Sequence, residues 1–461
     1  MVYVVFMTSP DVVDFADSWR LMRKACPHAL IQELCNEQRC VFRRGIYSIQ
    51  AVIWLMLYQR LNSKGTLGSA VQWLVRNAAI LHSENNPCKR VRTAQISANT
   101  GAYCQARQKL PKMVAIRLMD TLFDELQQHM REVMPELPRP VFVVDGTTLR
   151  TPHGKALAER FPPGHNQHGE NHWPTMLAVV FHDAYTGLAA RPSWGAMYGP
   201  EAVSEQQLAE QALERLPADA VVLADGNFGI FAFAYAVQRT ARPMLFRLTT
   251  ARAHKVLGGQ KLRVGRRRTA VWTPSSYECK QHPGLPEECS VQGWVVACAH
   301  PTKPAEILYF FTTLDLKPAR ILRLYKLRWN IETDLRSLKR TVRLHELSAR
   351  TPGTVEKELL TAVSAYNLVR AAIYRAARRA GVRPRDFSFS AAQDAVLAAW
   401  TDLSRATTQQ QRDREVLRLV EAVDRARLPN RSRKRSYPRE VWGRGSHFPV
   451  RKSTGKQECN P

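Results

Sequence analysis

A chain of 461 residues is too long for one compact core, so two to four domains are expected, and 45% hydrophobic residues suffice to fold them. The formal net charge of +27 excludes an isolated neutral surface, because self-repulsion on that scale favours a polyanion nearby. Nucleic acid fits that role, since neutralising phosphates releases counterions; an anionic membrane fits poorly, because no long basic helix with an aromatic face is present.

The opening run Met1 to Met7 is apolar but lacks a basic leader and is short for a signal peptide. From about Phe15 to Met134 the spacing of apolar residues predicts helices, with Ile46 to Leu61 one helix, Leu67 to Val75 another and Met113 to Met130 a third. Breaks fall at Ser63 to Thr66 and at Asn85 to Thr100. The longest apolar run, Val52 to Tyr58, is far shorter than a membrane span. A helical N-terminal domain, 1–138, is therefore expected, ending near Pro135 to Pro138. It is either a reader of DNA ends or an ordinary helical bundle.

After Pro140 the texture changes to strand. Val141 to Val144 is a continuous apolar run typical of a strand covered on both faces, ending at Asp145-Gly146. Met176 to Phe181 and Gly187 to Met197 read as a hairpin, Ser204 as the N-cap of a helix to Leu216, and Ala220 to Ala224 as a second buried strand ending at Asp225-Gly226. Ile230 to Arg239 reads as helix and Pro243 to Leu248 as strand. A first core segment, 139–254, is followed by a β-rich insertion, 255–314, with the basic cluster Arg266-Arg267-Arg268 and short strands around Trp272, Trp294 and Ile307. Helical spacing returns over 315–390, and 391–461 is a helical and basic tail with Arg431-Ser432-Arg433-Lys434-Arg435.

Nine cysteines with no CxxC pair point to reduced thiols in a cytosolic compartment rather than to a disulfide framework or zinc ribbon. His165, His168 and His172 share a loop without cysteine, which argues against zinc there.

Two aspartates end two buried strands, where open α/β sheets place their sites, although Asp-Gly is also an ordinary turn pair. Tyr325, Arg328, Glu332 and Lys339 fall within an arc of about 60° on a regular helix. Leu324, Leu327, Ile331, Leu335 and Leu338 take the adjoining arc. Arg328 with Glu332 alone would be an unremarkable i,i+4 ion pair; a carboxylate flanked by two cations and a tyrosine suits a phosphodiester better.

Together, V-V-D-G-T around Asp145, L-A-D-G-N-F-G around Asp225 and Y-K-L-R-W-N-I-E-T-D-L-R-S-L-K from Tyr325 to Lys339 resemble the three signatures of the DDE transposases of the insertion-sequence-four family. The last keeps the Y-x2-R-x3-E-x6-K spacing at every position; R-T-P-G-T-V-E-K-E (Arg350 to Glu358) and A-Y-N-L-V-R (Ala365 to Arg370) extend the likeness over most of the chain. Gly226-Asn227 departs from the Arg-Gly or Arg-Ala often found after the second aspartate.

The resemblance implies an α/β fold: a ribonuclease H-like catalytic core with a β-rich insertion, preceded by an all-helical N-terminal domain. It implies that Asp145, Asp225 and Glu332 are the catalytic metal ligands for two Mg²⁺ ions, with Mn²⁺ substituting, since hard cations prefer carboxylate and water oxygens. Tyr325, Arg328 and Lys339 would contact DNA, and Trp294 or Trp272 would stack on a flipped base. The implied partners are double-stranded DNA, as terminal inverted repeats and target, and further copies of the chain in a homodimer or higher oligomer; no membrane is implied, and the place is the bacterial cytoplasm at the nucleoid. A metal-dependent endonuclease without strand transfer, or a DNA-binding relative without catalysis, are the alternatives.

Overall fold

The computed structural model describes residues 45–429, apart from 63, 82–87, 134–138, 167–168, 304 and 407, together with 33, 36 and 37. The helical pattern expected before 45, the linker at 135–138, His168 and the basic run at 431–435 lie outside the described residues.

Helix α1 (Ile49–Leu61) starts where the Ser48 hydroxyl accepts from the Ala51 amide at 3.2 Å. It is buried nearly all round, as its unbroken apolar sequence requires. Helices α2 (Leu67–Leu81), α3 (Gly101–Lys109) and α4 (Lys112–Val133) follow. Strand β1 (Val141–Arg150) is then succeeded by β2 (Thr175–Asp183), β3 (Ser193–Ala196), α5 (Glu205–Ala212), β4 (Val221–Ala224), α6 (Phe231–Arg239) and β5 (Met244–Leu248), the order read from the sequence. Helix α7 (Thr250–Val256), β6 (Arg267–Trp272), α8 (Ser276–Gln281), β7 (Val291–Ala299) and β8 (Ile307–Thr312) complete the sheet region.

All eight strands form one sheet of order β3-β2-β1-β4-β5-β8-β7-β6. Only β1-β4 and β4-β5 are parallel pairs; β2 and β3 extend one side, and β8, β7 and β6 extend the other, all antiparallel. The β-rich segment 255–314 thus continues the sheet that begins with β1. The chain is a mixed α/β protein.

Strand alternation sorts the core into two layers. Phe142, Val144, Val222, Ala224 and Phe246 belong to a large cluster shared with α1, α4, α5, α6 and the later helices. Val141, Val143, Val221, Leu223 and Leu245 face the other way and form a smaller cluster with Ile321, Tyr325, Ile331 and Leu335. Those last four come from α9 (Pro318–Tyr325) and α10 (Trp329–Arg336), which cover that face.

The stretch expected as one regular helix from Lys317 to Lys339 is not regular. A 3₁₀ turn at Lys326–Arg328 joins α9 to α10, and a π turn at Ser337–Thr341 ends α10. The first overwinds and the second underwinds the chain, so the arc computed for an ideal helix does not describe where Lys339 lies relative to Tyr325.

Helix α11 (Pro352–Ala380) is buried along most of its length and packs against α1 and α4; Gly381 closes it in the left-handed conformation at φ 63°. Helices α12 (Phe389–Arg405) and α13 (Gln409–Asp424) pack on it in turn. The two conserved-looking motifs of the last third are fasteners. Glu358 ion-pairs with Arg60 at 3.2 Å and with Arg107, and accepts from the amides of Ser348 and Ala349. Lys357 donates to the carbonyls of Arg107, Gln108 and Leu110, which end α3.

From A-Y-N-L-V-R, Tyr366 and Arg370 hold Asp334, while the Asn367 side chain pairs with both backbone groups of Ala189 at 2.8 and 2.9 Å. Arg385 adds a third contact to Asp334 at 2.5 Å. Asp334 is wholly buried, and these two guanidinium groups hold its carboxyl below the ordinary value against the burial that would raise it. Asp334→Ala leaves two buried arginines uncompensated and is expected to cost about 3–5 kcal/mol, read as a shifted midpoint in urea unfolding. An unchanged midpoint would show that the pair does not anchor α10.

Candidate active site

The pairing register fixes the first two carboxylates. Val143 lies opposite Leu223 on the adjacent parallel strand, so Asp145 and Asp225, each two residues further, stand at the same level and on the same face. That is the face covered by α9 and α10. In β5, Leu245 lies opposite Leu223, which brings Arg247 to the matching position beyond Asp225.

Asp145 is half-buried, and its Oδ1 accepts from the Gly146 amide at 2.8 Å. Burial pushes its carboxyl up to about 6; the nearby Asp225 and Glu205 add to that, while the Gly146 amide and Arg328 oppose it. Asp225 accepts from the Asn227 amide at 2.9 Å, an Asx turn that closes the loop after β4. Gly229 in the same loop lies so close to β5 that a Cβ would stand 2.2 Å from the Arg247 carbonyl oxygen. Only glycine permits that approach.

Glu332, on α10, points away from the core and is bound by Arg328 at 3.3 Å. Ile331 and Leu335 of the same helix pack on the sheet, and Asn330 donates to the Ala184 carbonyl at 2.9 Å, so the helix itself is fixed. The Arg328–Glu332 pair is half-exposed on the glutamate side, an i,i+4 contact worth about 0.5 kcal/mol at most. Among the described residues no three His, Cys, Asp or Glu side chains converge as a metal-holding group. The donor chemistry nevertheless suits a hard divalent cation: three carboxylates, no sulfur, no imidazole, with Glu332 held only by a weak surface pair.

Tyr325 is buried, its ring packed on Phe310 with centroids 4.7 Å apart. Burial pushes its hydroxyl above the ordinary value, opposed by Arg328 and Arg247. Lys339 lies in the π turn, half-buried, and its ammonium makes no ion pair among the described residues. The two tryptophans differ. Trp272 is 3% exposed and held edge-on between Phe231 and Phe311, leaving little ring surface for a base. Trp294 is half-buried with Arg267 lying 5.4 Å over its ring.

Three residues at this site were not singled out from the sequence. Glu205 begins α5 and reaches the two aspartates from the opposite side of the sheet. Arg247 could have been found from its place two residues past Leu245. Trp329 is 61% exposed with the Arg328 guanidinium 4.9 Å over its ring, and its place inside W-N-I-E was the only signal. A groove of about 800 Å³ adjoins the start of α5, lined among others by Ser204, Thr249, Arg252, Lys255, Tyr277 and His282.

The comparisons agree with this arrangement. Residues 136–368, half of the chain, match the family described as the transposase DDE domain. The chain is also 24% identical over 434 residues to the transposase InsG for insertion sequence element IS4 of Escherichia coli (strain K12), covering 92% of each.

Gly229→Ala is expected to cost about 1–3 kcal/mol, because the atom it meets is backbone and cannot swing aside. Thermal melting should show the loss; an unaltered melting temperature would mean that the loop after β4 is not pinned to β5.

Proposed function

The chain belongs to the transposase DDE-domain family, and on that premise we propose that it is the transposase of a bacterial insertion sequence. It binds the element's terminal repeats, cleaves phosphodiesters there with divalent metal, and joins the freed 3′-OH ends to target DNA. The observation that carries the reading is the shared level of Asp145 and Asp225 on the face roofed by the helix of Glu332. The parallel β1-β4-β5 centre with its antiparallel β2-β3 flank supports a ribonuclease H-like core. The proposed division is core over 139–254 and 315–390, a β-rich insertion at 255–314 that widens the sheet, a helical DNA-end module within 1–138 and a basic tail in 391–461.

Asp145, Asp225 and Glu332 would hold the metal, two Mg²⁺ ions or Mn²⁺ in their place. When bound, such ions supply Lewis-acid stabilisation of the charge that develops on the phosphate. Glu332 turns from Arg328 toward the aspartates, which frees the guanidinium for the phosphate oxygens of the cleaved end. Lys339, without an ion pair of its own, adds a second cation to that end. Tyr325 sets the floor beneath Arg328. Trp329 offers an open ring face for a base, and Trp294 a second one further along the sheet. The excess of 67 Lys and Arg over 40 Asp and Glu supports salt-sensitive DNA binding, and further copies of the chain would hold paired ends. Among the described residues no helix is long and apolar enough to cross a membrane; work at the nucleoid in the cytoplasm follows from the substrate.

The test is cleavage of supercoiled plasmid carrying the element's ends, with Mg²⁺ or EDTA. Wild type is expected to cut at the ends only with Mg²⁺ and to yield joined product. Glu332→Ala should lose more than about a thousandfold in rate, as removal of several kcal/mol of charge stabilisation demands. Arg328→Ala should lose about 10- to 100-fold, the size of one charge-assisted hydrogen bond. Cutting without joining would favour the endonuclease reading, and tight binding with no cutting by wild type would overturn catalysis.

A further inference from the structure

Helix α5 opens with a carboxylate that its own helix does not need. The capping box is already complete: the Ser204 hydroxyl accepts from the Gln207 amide at 3.1 Å, and the Gln207 side chain accepts from the Ser204 amide at 2.9 Å. An acidic residue at such a position ordinarily points to solvent and gains a modest helix-dipole benefit. Glu205 does otherwise. Its Oε1 lies 2.1 Å from where a Cβ on residue 146 would be, so it occupies the space that glycine leaves beside Asp145.

The sheet explains how a residue from the far face gets there. Pairing of β1 with β4 ends at Val143 and Leu223, whereas β1 runs on to Arg150. Beyond that last pair the edge of β1 is open, and Glu205 enters next to Gly146. Asn227, from the loop that carries Asp225, donates to Oε2 at 2.6 Å, and Gln206 donates back to the Asn227 carbonyl at 3.0 Å. One oxygen is thereby steered, while Oε1 receives no hydrogen bond among the described residues.

Three carboxylates are therefore within one another's field: Asp225 and Glu205 both bear on Asp145, and Asp225 bears on Glu205. Among the described residues none of the three has an ion-pair partner, in a chain where basic side chains outnumber acidic ones 67 to 40. The nearest cation, Arg328, is engaged with Glu332. Like charges gathered this way are unfavourable until a cation sits among them.

We propose that Glu205 is a fourth acidic ligand of the divalent-metal site, offering its free Oε1 alongside Asp145 and Asp225. This rests on the metal-site reading given above. Asn227 then has a defined task in place of the phosphate contact of the arginine it displaces from the family pattern: it positions Glu205.

The experiment is titration of full-length, DNA-free protein with Mn²⁺, followed by calorimetry and by the electron paramagnetic resonance of the free ion. Glu205→Gln keeps the shape and loses the charge, and is expected to weaken Mn²⁺ binding about tenfold or more, with Glu205→Asp between it and wild type. Gly146→Ala should weaken it as well, because its methyl group evicts the flexible end of Glu205 without changing any charge. If Glu205→Gln fails to fold, Gly146→Ala decides. Wild-type Mn²⁺ affinity in Glu205→Gln, with affinity lost in Asp145→Asn, would overturn the proposal while leaving the three-carboxylate site standing. Wild-type affinity in Asp145→Asn too would overturn the metal site itself.

Discussion

The buried charge of Asp334 governs the geometry of this molecule. It lies two residues from Glu332 on α10, one side chain turned inward and the other outward. Arg370 from α11 and Arg385 from the segment after it converge on Asp334, and Arg385 also donates to the carbonyls of Asp183 and Ala184 at the β2 hairpin. The Ala184 amide in turn donates to the Val141 carbonyl at the start of β1. A single ionic cluster thus ties the helix of Glu332 to the strand of Asp145. Desolvated charges are costly unless every partner is in place, so the cluster tolerates few alternative packings of that helix.

Around this anchor the working residues are lightly held. Glu332 is bound by one surface cation, Lys339 has no ion pair among the described residues, and Trp329 lies largely in solvent. The backbone is fixed by what is buried, and the side chains that meet substrate keep rotational freedom. The π turn after α10 belongs to the same pattern, since widened turns accommodate side chains that a regular helix would direct elsewhere.

Much of this was legible in the sequence. Apolar runs ending in Asp145 and Asp225 announced buried parallel strands, and the alternation from Val141 onward set the face on which both aspartates lie. The spacing from Tyr325 to Glu332 announced a helix with a polar edge. Periodicity could not announce the 3₁₀ and π turns, because they conserve apolar spacing while altering its angle. Nor could it find Glu205, whose importance depends on where β4 stops and on the bare glycine beside it. The buried role of Trp272 was hidden for a similar reason: a tryptophan in a short strand reads alike whether its neighbours are phenylalanines or solvent. The A-Y-N-L-V-R stretch was visible as a motif, but its task as a clamp on Asp334 required the partner to be seen.

The clamp also has a direction in time. A chain emerging from the ribosome at about 5–20 residues per second exposes Glu332 before Arg370 and Arg385 have been added. Until residue 385 is free, Asp334 lacks one of the two charges that allow its burial, and α10 has no fixed seat on the sheet. A chain broken off between Lys339 and Arg385 would carry all three carboxylates of the signature and still lack the frame that sets them in register. For a protein whose substrate is the cell's own DNA, that order of assembly confines a competent site to chains synthesised past the last arginine of the clamp.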